Sequence, residues 1–107
     1  MGAQLLSFLN RLKSLVHTNR ISLASRSVNR QSLLRYELAE SDIHAVLLSL
    51  TPENYFRGPT PDHAGYPGDV MEFKAPVCGV IFYIKVRIWS ENEQDQGVTI
   101  SFHEDFI

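Results

Sequence analysis

A chain of 107 residues and 12.2 kDa has room for one hydrophobic core and not for two full domains. Hydrophobic residues at 44% and charged residues at 21% are ordinary globular proportions, and the single cysteine, Cys78, excludes a disulfide framework, which points to a reducing, cytoplasmic setting. The net charge of −2 averages two unlike parts: residues 1–36 carry six bases and no acid, residues 37–107 carry four bases and all twelve acids, so an anionic partner is expected for the basic flank.

Leu5, Leu9, Leu12 and Val16 recur at helical spacing, with Leu6, Phe8 and Leu15 widening the stripe, and predict an amphipathic helix over residues 4–17. The acid-free, Ser/Arg-rich opening also has the composition of an organellar transit peptide. No run reaches the ~20 apolar residues that a membrane span requires, so no membrane partner is expected. Residues 20–24 alternate and predict a short edge strand. A second helix is expected over residues 29–38, and a third from Ser41 as N-cap, with Asp42 in its first turn, through Ile43, Val46, Leu47 and Leu50. Thr51-Pro52-Glu53 restarts a helical turn. From Gly58 to Gly68 turn-forming residues predict one long loop. Within it, His63 beside Asp62 matches no established metal-site spacing, and neither a metal nor another cofactor is expected.

Residues 79–89 alternate, with Val80, Phe82, Ile84, Val86 and Ile88 on one side and Tyr83, Lys85, Arg87 and Trp89 on the other. Val98, Ile100 and Phe102 likewise oppose Thr99, Ser101 and His103, and residues 91–97 read as the hairpin loop between the two strands. Pairing apolar with apolar favours residue numbers that sum to 186, which places Tyr83 opposite His103, Lys85 opposite Ser101 and Arg87 opposite Thr99, while sums of 184 or 188 keep the faces and shift these neighbours by one pair. A preceding strand over residues 69–74, joined through an Ala75–Gly79 turn, pairs Phe73 with Phe82 and sets Glu72 beside Tyr83. Glu72, Tyr83 and His103 then form a row, with neighbouring Cβ atoms about 4.5–5.5 Å apart. A carboxylate, a phenol and an imidazole flanked by Lys85 and Arg87 can move protons and bind an anion; the ordinary reading is the solvated face of a half-buried sheet.

Arg11-Leu12-Lys13-Ser14-Leu15-Val16, Leu47 to Thr51 leading into Asn54-Tyr55-Phe56-Arg57, Phe82-Tyr83-Ile84-Lys85 and Ile100-Ser101-Phe102-His103-Glu104 follow one another in an order and spacing that resemble the MqsR (motility quorum-sensing regulator) toxins of bacterial toxin–antitoxin systems. The resemblance runs from about residue 8 to 105 and draws the basic start into the domain. It implies a RelE-like α+β fold, a twisted antiparallel sheet with helices on one face, and metal-independent endonucleolytic cleavage of mRNA at GC-containing sites. It also implies a cognate antitoxin, often with a DNA-binding helix-turn-helix domain. The family's basic residue after the Phe/Tyr pair falls on Arg57, its strand tyrosine on Tyr83 and the lysine of its Ser-Phe-Lys end on His103. Its Trp-Gln pair is replaced by Val70-Met71-Glu72-Phe73, and Glu72 meets the glutamine only after a gap shift.

On that resemblance the RNA supplies its own nucleophile, a 2′-OH, and cleavage leaves a 2′,3′-cyclic phosphate. Arg57, Lys85 and Arg87 are expected to stabilise phosphate charge and His103 to act as general acid. Tyr83 is expected to orient the 2′-OH or accept its proton, with Glu72 as the other candidate base. Trp89 is available to stack on a base or to pack against the fold. Two other functions fit the same residues: a catalytically weak RNA- or partner-binding module, and a structural domain whose basic helices bind only a protein.

Overall fold

Leu5, Phe8, Leu9, Leu12, Leu15 and Val16 share one stripe of the first helix, α1 (Gly2–His17), and all six are buried. In the computed structural model, which describes residues 2–106, α1 leads through a short strand, β1 (Ile21–Leu23), to two more helices, α2 (Ser27–Arg35) and α3 (Glu40–Ser49). A 3-10 turn at Pro52–Asn54 is followed by β2 (Tyr55–Thr60), β3 (Asp69–Val77), β4 (Val80–Glu91) and β5 (Gln94–Glu104). The sheet order is β1-β5-β4-β3-β2, antiparallel except where β1 lies parallel to β5. The fold is therefore α+β with a mixed sheet.

One apolar cluster holds the layers together. Met71, Phe73, Ala75 and Val77 from β3 share a face with Phe82, Ile84, Val86 and Ile88 from β4, and they meet the α1 stripe together with Ile43 and Leu47 of α3. Fully burying one such side chain stabilises the fold by roughly 1.5–3 kcal/mol. No described helix is long and apolar enough to cross a membrane.

Both long hairpins close through two-residue turns whose central residues have positive φ, Cys78 (53°) with Gly79 (80°) and Asn92 (52°) with Glu93 (64°). These turns correct two expected registers. The first fixes Val77 opposite Val80, so β3 and β4 pair at sums of 157: Phe73 faces Ile84, Glu72 faces Lys85 and Lys74 faces Tyr83. Glu72 is thus diagonal to Tyr83 rather than opposite it. The second turn replaces the expected loop over residues 91–97 and pairs Glu91 with Gln94, at sums of 185. Near the base of the hairpin Ile84 faces Phe102 and Tyr83 faces His103 at the expected 186, and a bulge beyond Lys85 absorbs the odd residue. Toward the tip, then, Thr99 rather than Ile100 faces Val86 in the core, and Val98 faces Arg87 on the other side. Gly97 belongs to the same adjustment, because a Cβ there would stand 2.8 Å from Leu15 Cδ1 of α1.

Three element limits also differ from expectation. The third helix is capped by Ala39, whose amide donates to Asp42 Oδ2, so Ser41 lies inside it. The second ends at Arg35. The predicted loop over Gly58–Gly68 begins three residues later, since β2 runs to Thr60 along the free edge of β3, leaving residues 61–68 irregular. Gly68 is required there: its φ is 101° and a Cβ would fall 2.2 Å from the Ile88 carbonyl oxygen.

Candidate active site on the open face of the sheet

The helices cover one face, and alternation sends the polar side chains of β3, β4 and β5 to the other. Two adjacent cross-strand rows result. Arg57, Glu72, Lys85 and Ser101 form one; Lys74, Tyr83 and His103 form the next. Neighbouring strands are about 4.8 Å apart, so the first row spans about 14 Å.

Glu72 is the hub. Its residue exposure is only 6%, and its carboxylate accepts Nε and Nη2 of Arg57 at 3.0 and 3.1 Å and the Tyr83 hydroxyl at 2.5 Å. Burial pushes this carboxyl up, but the Arg57 and Tyr83 hydrogen bonds and the charges of Arg57 and Lys85 outweigh it and hold the group below its ordinary value. The same contacts act in reverse on the partners. Tyr83 is driven well above the ordinary phenol range by burial and then by the hydrogen bond and charge of Glu72, and Arg57 is raised by its bond to Glu72. Tyr83 is therefore a neutral hydroxyl that donates inward to Glu72 and keeps its oxygen lone pairs for an outside donor.

His103 lies directly across from Tyr83, with ring centroids 5.6 Å apart. Its Nδ1 is 2.8 Å from the Glu104 carbonyl oxygen. A carbonyl can only accept, so Nδ1 carries a hydrogen and Nε2 is the atom free to gain or lose a proton. Phe106 stacks on the outer side of the ring at 5.5 Å and 15°. The strand end beneath is pinned by Tyr36 donating to Glu104 at 2.6 Å and by Lys74 paired with Asp105 at 3.0 Å.

The remaining expected residues divide. Lys85 makes no hydrogen bond or ion pair with the described residues, and it stands between Glu72 and Ser101. Arg87 is engaged within the fold: it donates to the Pro67 carbonyl at 2.7 Å and lies 4.1 Å over Trp89 and 5.2 Å from Tyr66, which ties the 61–68 segment to the sheet. Trp89 thus packs on Arg87, with its indole N–H 3.4 Å from Glu91.

Sequence reasoning missed Arg26. From the residue before α2 it reaches across β5, and its guanidinium donates to Ser101 Oγ at 2.6 Å and to the Ile100 carbonyl at 3.2 Å. No local pattern marks it, because the α2–β5 contact alone carries it to the face. Phe106, beyond the last strand, escaped for the same reason. Among the described residues no group of three or more His, Cys, Asp or Glu could hold a metal ion. Neither family models nor curated proteins yield a match to this chain.

Proposed function

We propose that the chain is an endoribonuclease that cleaves single-stranded mRNA through the RNA's own 2′-OH, and that it is the toxin of a cytoplasmic toxin–antitoxin pair. The observation that carries the reading is the facing of Tyr83 and His103 beside an ionised, buried Glu72. A nucleotide step laid across this pair puts its 2′-OH on the Tyr83 oxygen. As the 2′-oxygen attacks phosphorus, its proton passes to Tyr83 while the Tyr83 proton passes to Glu72; the 5′-oxygen leaves with a proton from protonated His103 Nε2. The products are a 2′,3′-cyclic phosphate and a 5′-hydroxyl, and exchange with water restores Glu72 and His103. Arg57, half tied to Glu72, supplies positive charge for the phosphorane. Substrates lacking the 2′-OH cannot enter this sequence.

The bidentate Arg57–Glu72 pair also favours a second reading, an RNA-binding module with little chemistry, since it both neutralises a phosphate-binding arginine and weakens Glu72 as a base. Incubation of the purified protein with single-stranded RNA in EDTA, followed by analysis of termini, separates the two. The ribonuclease reading expects cyclic phosphate and 5′-hydroxyl ends, with rates reduced about 10²–10⁴-fold in His103→Ala and substantially in Tyr83→Phe. Intact RNA with salt-sensitive binding establishes the module instead. The toxin assignment further expects growth arrest on expression without an antitoxin.

A further inference from the structure

Three cations of the open face, Arg26, Lys85 and Arg87, make no ion pair with a carboxylate among the described residues, and Arg87 is held by the Pro67 carbonyl and the Trp89 and Tyr66 rings. Arg26 and Lys85 both neighbour Ser101, the first through a hydrogen bond of 2.6 Å from Nη1 to Ser101 Oγ and the second through strand pairing. Ser101 is 2% exposed and sits where the bulge begins, so its position is fixed by the strand pairing and by Arg26. Arg57, at the far end of the same row, has its charge largely spent on Glu72 through two hydrogen bonds, whereas Lys85 feels Glu72 only as a cross-strand neighbour and Arg26 is bonded to neutral groups alone.

We propose that Arg26, Lys85 and Ser101 form a second phosphate subsite, which holds the backbone phosphodiester next to the one being cut. The inference rests on the ribonuclease reading for its ligand, a polynucleotide, and adds to it the direction in which the strand crosses the sheet. The scissile step lies over Tyr83 and His103, and the neighbouring phosphate lies toward β1 and the start of α2. Arg26 keeps guanidinium N–H donors beyond the one bound to Ser101 and Ile100, and Lys85 adds a point charge to the same oxygen atoms. The site recognises charge and backbone geometry and is indifferent to the base.

The test is the salt dependence of binding of a 12-nucleotide RNA, 2′-O-methylated throughout so that it cannot be cut, to the intact chain. For single strands each phosphate contact contributes about 0.7 to the slope of log K against log salt. Arg26→Gln and Lys85→Gln are each expected to lower the slope by about 0.7 and to weaken binding about tenfold at 50 mM salt. Arg26→Lys, which keeps the charge, is expected to retain the slope. Lys85→Gln removes no internal hydrogen bond, so it remains informative if Arg26→Gln fails to fold. Unchanged slopes in both glutamine variants overturn the subsite, even if unmodified RNA is cleaved. Lowered slopes with no cleavage of unmodified RNA uphold the subsite and remove the ribonuclease reading. Absence of binding removes both.

Discussion

Glu72 illustrates how a single side chain couples stability to the proposed chemistry. Its folded-state carboxyl lies below the ordinary value of 4.5 because Arg57, Tyr83 and Lys85 together exceed the cost of its burial. A depressed carboxyl contributes stability that is fully present above the unfolded value and is lost as pH falls through the lower folded one. Glu72→Gln removes that contribution. The variant is expected to be less stable than wild type by about 1.5–3 kcal/mol at pH 7, the range for hydrogen bonds to a charged group. The gap should narrow as pH drops below 4.5, which urea midpoints at each pH would measure; a gap constant with pH would mean that the Arg57 and Tyr83 contacts do not favour the ionised form. Asp95, lowered by its hydrogen bond to Arg11, is the same in both proteins and cancels from the difference. Alternation alone made Tyr83 and His103 legible as neighbours. The bidentate partner of Glu72 was not legible as a strand pairing, because Gly58-Pro59 disguises the end of β2.

At the scale of elements the least obvious device is the way α2 closes the sheet. β1 pairs with β5 only over residues 97–99, which leaves the edge of β5 bare from Ile100 to Glu104. Side chains from α2 take over the pairing. Asn29, fully buried, donates to the Ile100 and Ala24 carbonyls at 3.0 and 3.1 Å and accepts the Phe102 amide at 2.9 Å, and Ser32 accepts the Glu104 amide at 3.3 Å. A carboxamide has both the donor and the acceptor that a strand edge demands. Asn29→Ala leaves buried backbone groups unsatisfied, each costing about 1–3 kcal/mol. A loss of about 2–4 kcal/mol in urea denaturation is therefore expected, with faster exchange of the Phe102 amide; a loss under 0.5 kcal/mol would show that water replaces the side chain at no cost. Asn29→Asp, which cannot donate, should fare no better. Helices and strands were largely readable from period, since periodicity records burial. The registers were readable only in part: turn length and the bulge set them, and Asn92-Glu93 is not a sequence that advertises a tight turn.

Over the whole molecule, the basic first third and the acidic remainder seen in the sequence do not correspond to two surfaces. Arg11 is spent on Asp95 at the β4–β5 tip and Arg35 reaches Glu104, while Arg26 crosses to the open face of the sheet. The charge division that pointed to an anionic partner thus partly serves to fasten the helical half onto the strand half. Packing does the same, because α1 and the sheet contribute to one continuous cluster and no apolar layer belongs to either half alone. A single core of this size should unfold in one step. Far-UV circular dichroism reports mainly the helices, and fluorescence of Trp89, on β4, reports the sheet. Their urea transitions are expected to coincide. Leu12, fully buried in α1, tests the coupling most directly: Leu12→Ala should lower stability by about 2–5 kcal/mol and move both transitions together. If the circular dichroism transition moved while the Trp89 transition stayed, α1 would be a separable element, and a sheet standing without it could hold Tyr83 opposite His103 unaided.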